Sequence, residues 1–207
     1  FSNNSYVACI GSATGYRTNP YDGTILTLPD DGYAAVALQN GKKVSLYGQE
    51  YSTVYVGSNG YVTFTQPDNS DEISYDHHFV TPRVSGLLYD LNPNLGGTVY
   101  VKQQTNRLVI TWDKVPTDEV VTSYTVSFQI ELFFDGRIVI TWNRLDLYTG
   151  LVGLSRGGGK PANFQKSVFV NYPACLDAIP EEGAVRVTFQ PPQLLTTTAR
   201  WRLDGKD

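Results

Sequence analysis

The stretch Arg107-Leu-Val-Ile-Thr-Trp-Asp113 decides the fold class, because it returns almost unchanged as Arg137-Ile-Val-Ile-Thr-Trp-Asn143. Successive side chains of an extended chain point to opposite faces, so Leu108, Ile110 and Trp112 share one face. Alternation of this kind predicts a β-strand in each heptapeptide with one apolar face turned towards the core.

The segment between the two heptapeptides extends the pattern. Ser123 to Phe134 has the composition of a long strand, and Asp135-Gly136 is a strong signal for a tight hairpin. Further strand candidates follow one another along the chain, separated by turns rich in Gly, Pro and Asn. The sequence therefore predicts an all-β fold, an antiparallel β-sandwich or jelly roll with few or no helices.

The glycine-rich stretch 54–64, VYVGSNGYVTF, predicts another hairpin. Its glycine spacing fits neither of the motifs that cradle phosphates. Apolar residues alternate on both sides of Asn59-Gly60, a dipeptide that tolerates the positive φ values of a tight turn. We interpret the glycines as residues of the turn, not of a ligand site.

Charge and hydropathy exclude several partners. The 207 residues carry 16 basic and 20 acidic side chains, a net charge of −4, and no basic run. Nucleic acid and anionic membranes are therefore not expected as partners, because both require a positive surface. No apolar run is long enough to span a membrane. We expect any export signal to lie outside these residues.

The two cysteines, Cys9 and Cys175, lie near opposite ends of the predicted main domain. A disulfide between them would join its first and last segments, and two buried free thiols are the alternative. We predict the disulfide, which favours an oxidising compartment.

The composition changes near the C-terminal end of the chain. We predict a β-sandwich domain over residues 1–178, a linker over 179–183 that includes Pro180 and two glutamates, and an incomplete second β module over 184–207. A two-stranded piece cannot bury a core by itself, so this second module is expected to be a fragment.

No motif of catalysis stands out. His77 and His78 are the only histidines, and in an extended segment they would point to opposite faces and could not chelate one ion. The carboxylates Asp90, Asp113, Glu131 and Asp135 could in principle support glycoside hydrolysis, but turns and sheet edges also explain them. The sequence therefore predicts no enzyme activity.

Calcium is the one cofactor for which the sequence offers ligands. Asp90, Asn92 and Asn94 alternate in a loop, and their side-chain oxygens are ligands that Ca²⁺ prefers. The alternative is that these side chains cap backbone N–H groups in turns, which needs no metal.

Aromatic residues provide candidates for ligand binding. Trp112 and Trp142 share a face with Ile and Leu, which predicts that they belong to the core. The loop tyrosines Tyr16, Tyr21, Tyr75 and Tyr148 are better placed to stack on a sugar or to contact a protein.

Several stretches together resemble a family of poorly characterised extracellular modules of large modular bacterial proteins. They are Tyr6–Cys9, Lys43–Gly48, Tyr51–Phe64, Pro82–Pro93, Gly96–Val99, Phe128–Gly136 and Gly150–Ser155. The family's central motif usually reads Asp-Asp-Leu-Asn-Pro, and Tyr89 replaces its first Asp here. Beyond this region, Gly183–Phe189 and Ala199–Gly205 look like the opening of a PEGA-like β repeat.

The resemblance implies a secreted, multidomain surface protein with an accessory, non-catalytic domain. Our first hypothesis is an extracellular module for adhesion or surface assembly, with protein partners or further copies bound through loops and sheet edges. The second is a carbohydrate-binding accessory module of a secreted polysaccharide-degrading enzyme. An enzyme domain is the third.

Overall fold

The computed structural model describes residues 6–119, 124–147, 149–168, 171–175 and 184–191. Helical structure in these residues is confined to one helical turn, α1, Tyr75–His78, and a 3₁₀ helix, Pro93–Leu95. The rest of the regular structure is β-strand, and all the named strands pair antiparallel. The prediction of an all-β fold with few helices is confirmed.

The larger sheet has seven strands. Their bounds are β1 Val7–Ala13, β2 Thr24–Leu26, β9 Thr98–Gln103, β10 Arg107–Pro116, β11 Thr125–Phe133, β12 Ile138–Leu145 and β14 Ala184–Gln190. The spatial order is β1-β14-β12-β11-β10-β9-β2. Both heptapeptides that predicted the fold lie in this sheet, in β10 and β12, with β11 between them.

The smaller sheet has five strands, and a short hairpin accompanies it. The bounds are β3 Tyr33–Ala37, β6 Thr53–Gly57, β7 Tyr61–Thr63, β8 Pro82–Leu88 and β13 Leu151–Arg156, in the order β13-β8-β7-β6-β3. The separate hairpin consists of β4 Val44–Leu46 and β5 Gln49–Tyr51.

The core lies between the two sheets, as the alternation predicts. One row of side chains crosses four strands of the larger sheet, with Ile110 opposite Ile130, Ile130 opposite Ile140, and Ile140 opposite Val187. All four are completely buried. Burial of each such side chain stabilises the fold by about 1.5–3 kcal/mol.

Two tryptophans link the sheets by hydrogen bonds. Trp142 donates its indole N–H to the carbonyl of Gly86 at 2.8 Å, and Trp112 donates to the carbonyls of Gly57 and Ser58 at 3.3 and 3.2 Å. Trp112 also stacks on Phe128, with ring centroids 4.8 Å apart. The prediction that both tryptophans belong to the core is confirmed.

The outer face of the larger sheet is polar but covered. Glu131 is fully buried there and forms ion pairs with Arg17 at 3.0 Å and Arg107 at 2.8 Å. Thr18 donates its hydroxyl to Glu131 and its backbone N–H to the side chain of Gln129. The chain segment around Thr18 is thereby fixed across the sheet.

The predicted hairpin at Asn59-Gly60 is confirmed, and β6 pairs with β7 on either side of it. Gly60 has φ +79° and lies so close to Leu87 that a Cβ atom would be 1.9 Å from the Leu87 carbonyl oxygen. Asn59 does more than form the turn. Its buried side chain donates to Asp31 and to the carbonyl of Ser70, and accepts from the N–H of Leu91.

The strand β14 corrects the predicted domain boundary. Residues 184–207 were expected to open a second module, but β14 lies inside the larger sheet, between β1 and β12. Its Val187 and Phe189 belong to the common core. The linker 179–183 and residues 192–207 of the predicted second module lie outside the described residues.

The disulfide Cys9–Cys175 is present, as predicted. It fixes the segment around Cys175 beside β1, where Cys175 donates its N–H to the carbonyl of Ile10, and Ile10 donates to the carbonyl of Pro173. Cys9 and Cys175 are 166 positions apart in sequence, so the disulfide closes a long loop.

We expect Gly60→Ala to destabilise the domain by at least about 2 kcal/mol, because the new Cβ meets a backbone carbonyl. Gly48→Ala is the matched control, since Gly48 also has positive φ, +82°, but has open space around its Cβ position. Urea unfolding of both variants measures the difference. Equal losses in the two variants would contradict the close approach of Gly60 to Leu87.

Removal of the disulfide by the double substitution Cys9→Ser and Cys175→Ser is expected to lower the free energy of unfolding by about 2–5 kcal/mol, because the unfolded chain regains loop entropy. Thermal unfolding of the wild type with and without reductant is the companion measurement. A wild-type midpoint that does not change on reduction would show that the bond contributes no stability.

Candidate functional site

Three acidic side chains from distant parts of the sequence meet at one end of the sandwich. Asp30 precedes β3, Asp90 follows β8, and Asp118 follows β10. Each offers a carboxylate oxygen, and these oxygens lie within 4.8 Å of one another. The N–H of Asp118 also donates to the backbone carbonyl of Asp90 at 3.1 Å. These three residues form the acidic cluster.

The predicted calcium ligands are brought together only in part. Asp90 belongs to the acidic cluster, but Asn92 caps the 3₁₀ helix by accepting from the N–H of Asn94 at 2.9 Å. The amide nitrogen of Asn92 donates to Asp118 at 3.2 Å, which holds that carboxylate in place. The capping alternative thus describes Asn92, while Asp30 and Asp118 are the residues that the sequence pattern missed.

Burial and mutual repulsion together set the electrostatics of the acidic cluster, with burial the larger cause. Burial and the negative charges of Asp31, Asp118, Asp71 and Asp30 raise the pKa of Asp90 from its ordinary 3.8 to about 6. Burial and the neighbouring carboxylates also raise the pKa of Asp30. Three converging carboxylates could hold a hard cation such as Ca²⁺, with water completing its coordination. Calcium binding stays a prediction.

Two of the four predicted tyrosines meet on the outer face of the larger sheet. Tyr16 donates its hydroxyl to Asp113 at 2.7 Å, and burial raises the pKa of Tyr16. The negative charge of Asp113 also raises the pKa of Tyr21, whose ring lies 5.9 Å from that of Tyr100. Tyr16, Tyr21, Tyr100 and Asp113 form the tyrosine cluster, in which Tyr21 is 62% exposed.

The other two predicted tyrosines do not join this cluster. Tyr75 begins α1, and its ring packs against Phe164 at 5.1 Å, next to Phe79. Tyr148 lies outside the described residues. Tyr100 was missed because it lies within a strand, where only the tertiary structure shows which face is accessible.

The two histidines occupy α1, not the extended segment that the sequence analysis assumed. His77 pairs with Asp68 at 3.0 Å, whereas His78 lies 3.0 Å from the hydroxyl of Ser85. Burial lowers the pKa of His78 to about 3, so the ring is neutral. Asp68 also pairs with the fully buried Arg83. These contacts attach the α1 segment to the outer face of the smaller sheet.

A shallow groove of about 400 Å³ beside the β4–β5 hairpin was not predicted. Its lining residues are Leu46, Tyr47, Gly48, Gln49, Tyr51, Pro82 and Arg156. Tyr47 has φ +50° in the hairpin turn, and the guanidinium of Arg156 lies 5.0 Å from its ring centroid. Gly48 predicts the turn of this hairpin. The sequence could not predict the groove, because Arg156 on its other side is over 100 residues away.

The structure is an all-β module, and its disulfide fits an exported protein. The sequence model of the NIDO-related family matches residues 8–171, and the chain belongs to this family. NIDO is an extracellular domain, which agrees with the predicted localisation. Comparisons with curated proteins and with solved structures found no match. In the described residues, no helix is long and apolar enough to cross a membrane.

The acidic cluster makes stability depend on pH in a defined direction. Between its unfolded pKa and about 6, Asp90 holds more proton in the folded state than in the unfolded state, so stability falls as pH rises through this window. We therefore expect Asp90→Asn to gain stability over the wild type between about pH 4 and pH 6 in the presence of chelator. Unfolding curves measured across this range test it.

The exposed Asp76, which pairs with Lys160 outside the cluster, provides the control substitution Asp76→Asn. Added Ca²⁺ at pH 7 should raise the unfolding midpoint of the wild type but not of Asp90→Asn, if the cluster binds the ion. If the stability of wild type and of Asp90→Asn depends on pH in the same way, the raised pKa of Asp90 is contradicted. If Ca²⁺ raises both unfolding midpoints equally, the acidic cluster is not the calcium site.

Proposed function

We propose that this module is a non-catalytic part of a modular surface protein and acts in adhesion or in surface assembly. The observation that carries the proposal is the exposure of large apolar side chains on strands at sheet edges. Val7 on β1 is 66% exposed, Ile25 on β2 is 60% exposed, and Tyr33 on β3 is 43% exposed. Apolar side chains at open edges favour contact with other chains.

The non-catalytic part of the proposal is supported by the contacts of three of the four candidate carboxylates. Glu131 is buried between two arginines, Asp113 accepts from Tyr16, and Asp135 accepts from the backbone N–H of Arg137 in its hairpin. A general acid or base has to reach its substrate. Glu131 has no solvent contact, and Asp135 has an ordinary turn role.

Carbohydrate binding is the second candidate, and the tyrosine cluster favours it. Exposed aromatic rings next to a carboxylate can stack on a sugar ring and accept its hydroxyl hydrogens. Tyr21 presents an exposed ring and Tyr100 a half-buried ring beside Asp113. This alternative would make the module an accessory domain that holds a secreted enzyme on polysaccharide.

Beads that carry the purified module at high density test the first proposal. We expect the beads to cluster, or to adhere to surfaces coated with the module, because many weak edge contacts add up by multivalency. Beads that carry the reduced, unfolded module are the control. Dispersed beads without adhesion at any density would overturn the proposal.

Binding of the free module to soluble and insoluble polysaccharides tests the alternative. Saturable binding that is lost in Tyr21→Ala but kept in Tyr33→Ala would favour the carbohydrate module, because Tyr33 is an exposed tyrosine of the other sheet. Binding that both variants retain would exclude the tyrosine cluster as the sugar site.

A further inference from the structure

The outer edge of the smaller sheet is formed by β3, which pairs only with β6. Just before β3, the carbonyl of Gly32 accepts from the N–H of Ser58 at 2.8 Å. Just after β3, Leu38 donates its N–H to the carbonyl of Ser52 at 2.8 Å. Antiparallel ladders alternate with a period of two, so the even-numbered residues of β3 bond to β6. The N–H and carbonyl groups of Tyr33, Ala35 and Ala37 therefore point to the open edge.

These outward groups are available for pairing with a further strand. Among the described residues, only the carbonyl of Ala37 has a partner on that side, the side-chain amide of Gln39 at 3.1 Å. β3 is the outer strand of its sheet, and the side chains of Tyr33, Ala35 and Ala37 are all exposed. Edge strands in soluble proteins usually carry a charge, a proline or a bulge that prevents pairing, and Tyr-Ala-Ala-Val-Ala has none of these.

The other edges of the two sheets are less suited to pairing with a further strand. The Cys175 segment bonds to β1 through Ile10. β2 is three residues long. β13 has a register irregularity between Leu151 and Gly153. The smaller sheet therefore has one long, flat and uncharged edge, and it is β3.

The sequence of β3 suits pairing with itself. In an antiparallel pair centred on Ala35, each Tyr33 lies opposite Ala37 of the other copy, so a large side chain meets a small one. In the same register, the outward N–H and carbonyl groups of Tyr33, Ala35 and Ala37 face those of the other copy. Each opposed pair of residues can therefore exchange two backbone hydrogen bonds.

The charges at the two ends of β3 are complementary in the same arrangement. Asp30 precedes the strand, belongs to the acidic cluster and has no ion pair among the described residues. Lys42 follows the strand and has no ion pair there either, although it lies 5.7 Å from the ring centroid of Phe134. Antiparallel pairing brings the Asp30 end of one copy beside the Lys42 end of the other.

From these observations we propose that β3 pairs antiparallel with β3 of a second copy of this chain, around Ala35, and joins two five-stranded sheets into one. This inference rests on the proposed role in surface assembly and names the edge and the partner. The contact is small, so it is weak for free modules and becomes effective when many copies are held on a surface.

Sedimentation velocity from micromolar to near-millimolar protein concentration tests the pairing, since the affinity of free modules is expected to be weak. The wild type is expected to show a reversible monomer–dimer equilibrium. Ala35→Pro removes an outward N–H without breaking a bond to β6, and Ala35→Lys places like charges opposite each other. Each variant should weaken dimerisation by about tenfold or more while keeping the β-sheet circular dichroism spectrum.

Gln39→Ala should act in the opposite direction. It frees the carbonyl of Ala37, while the backbone of Gln39 keeps its bonds to the side chain of Gln103. We expect tighter dimerisation in this variant. Ile25→Lys, on the exposed edge strand β2 of the other sheet, is the matched control and should leave dimerisation unchanged.

Charge reversal tests the register. Lys42→Asp and Asp30→Lys should each weaken the dimer, and the double variant should restore it, because the attraction between the two ends is re-formed with opposite polarity. A monomer at all concentrations overturns the pairing, as does a dimer that Ile25→Lys disrupts and Ala35→Lys does not. Bead clustering that persists in Ala35→Lys would overturn the β3 pairing and leave the proposed function intact.

Discussion

The structure depends on the two indole N–H groups that cross from the larger sheet to the backbone of the smaller one. A buried indole without an acceptor is costly, so the positions of the Gly86 and Gly57 carbonyls are tied to those of Trp142 and Trp112. The close approach also needs glycine, because a Cβ on Gly86 would lie 2.6 Å from the Phe128 ring. The distance between the sheets, the register of their strands and the glycines of β6 and β8 therefore depend on one another, and none can change alone.

Because the sheets are fixed in this way, the loops at one end are fixed as well. Gly60 packs against Leu87. The residue before it, Asn59, connects three loops by side-chain hydrogen bonds to Asp31, Ser70 and Leu91. Asp30 and Asp90 each lie next to one of these bonded residues. The acidic cluster is thus held together by the neutral amide of Asn59, against the repulsion of its own charges.

Local periodicity was sufficient to predict β9 to β12, their apolar faces and the tryptophan core, because those features repeat every two residues. It did not single out β1, β5 or β13. It could not predict that β14 inserts between β1 and β12, since strand order in an antiparallel sheet is set by contacts far apart in sequence. The acidic cluster shows the same limit. Asp90 was identified from its Asn-rich loop, but Asp30 and Asp118 lie in two other loops and meet Asp90 only through the fold.

The acidic cluster and the open edge are neighbours in sequence, because Asp30 lies just before β3, and the proposed pairing would couple them. Asp30 contributes to the raised pKa of Asp90 and lies just before β3. A positive charge brought to Asp30 by pairing of two β3 strands would favour the ionised form of the cluster, and linkage requires the reverse: ionisation of the cluster favours pairing. A cation bound by the three carboxylates would compete for the same attraction. If β3 pairs as proposed, the charge state of this end of the sandwich would act on that pairing.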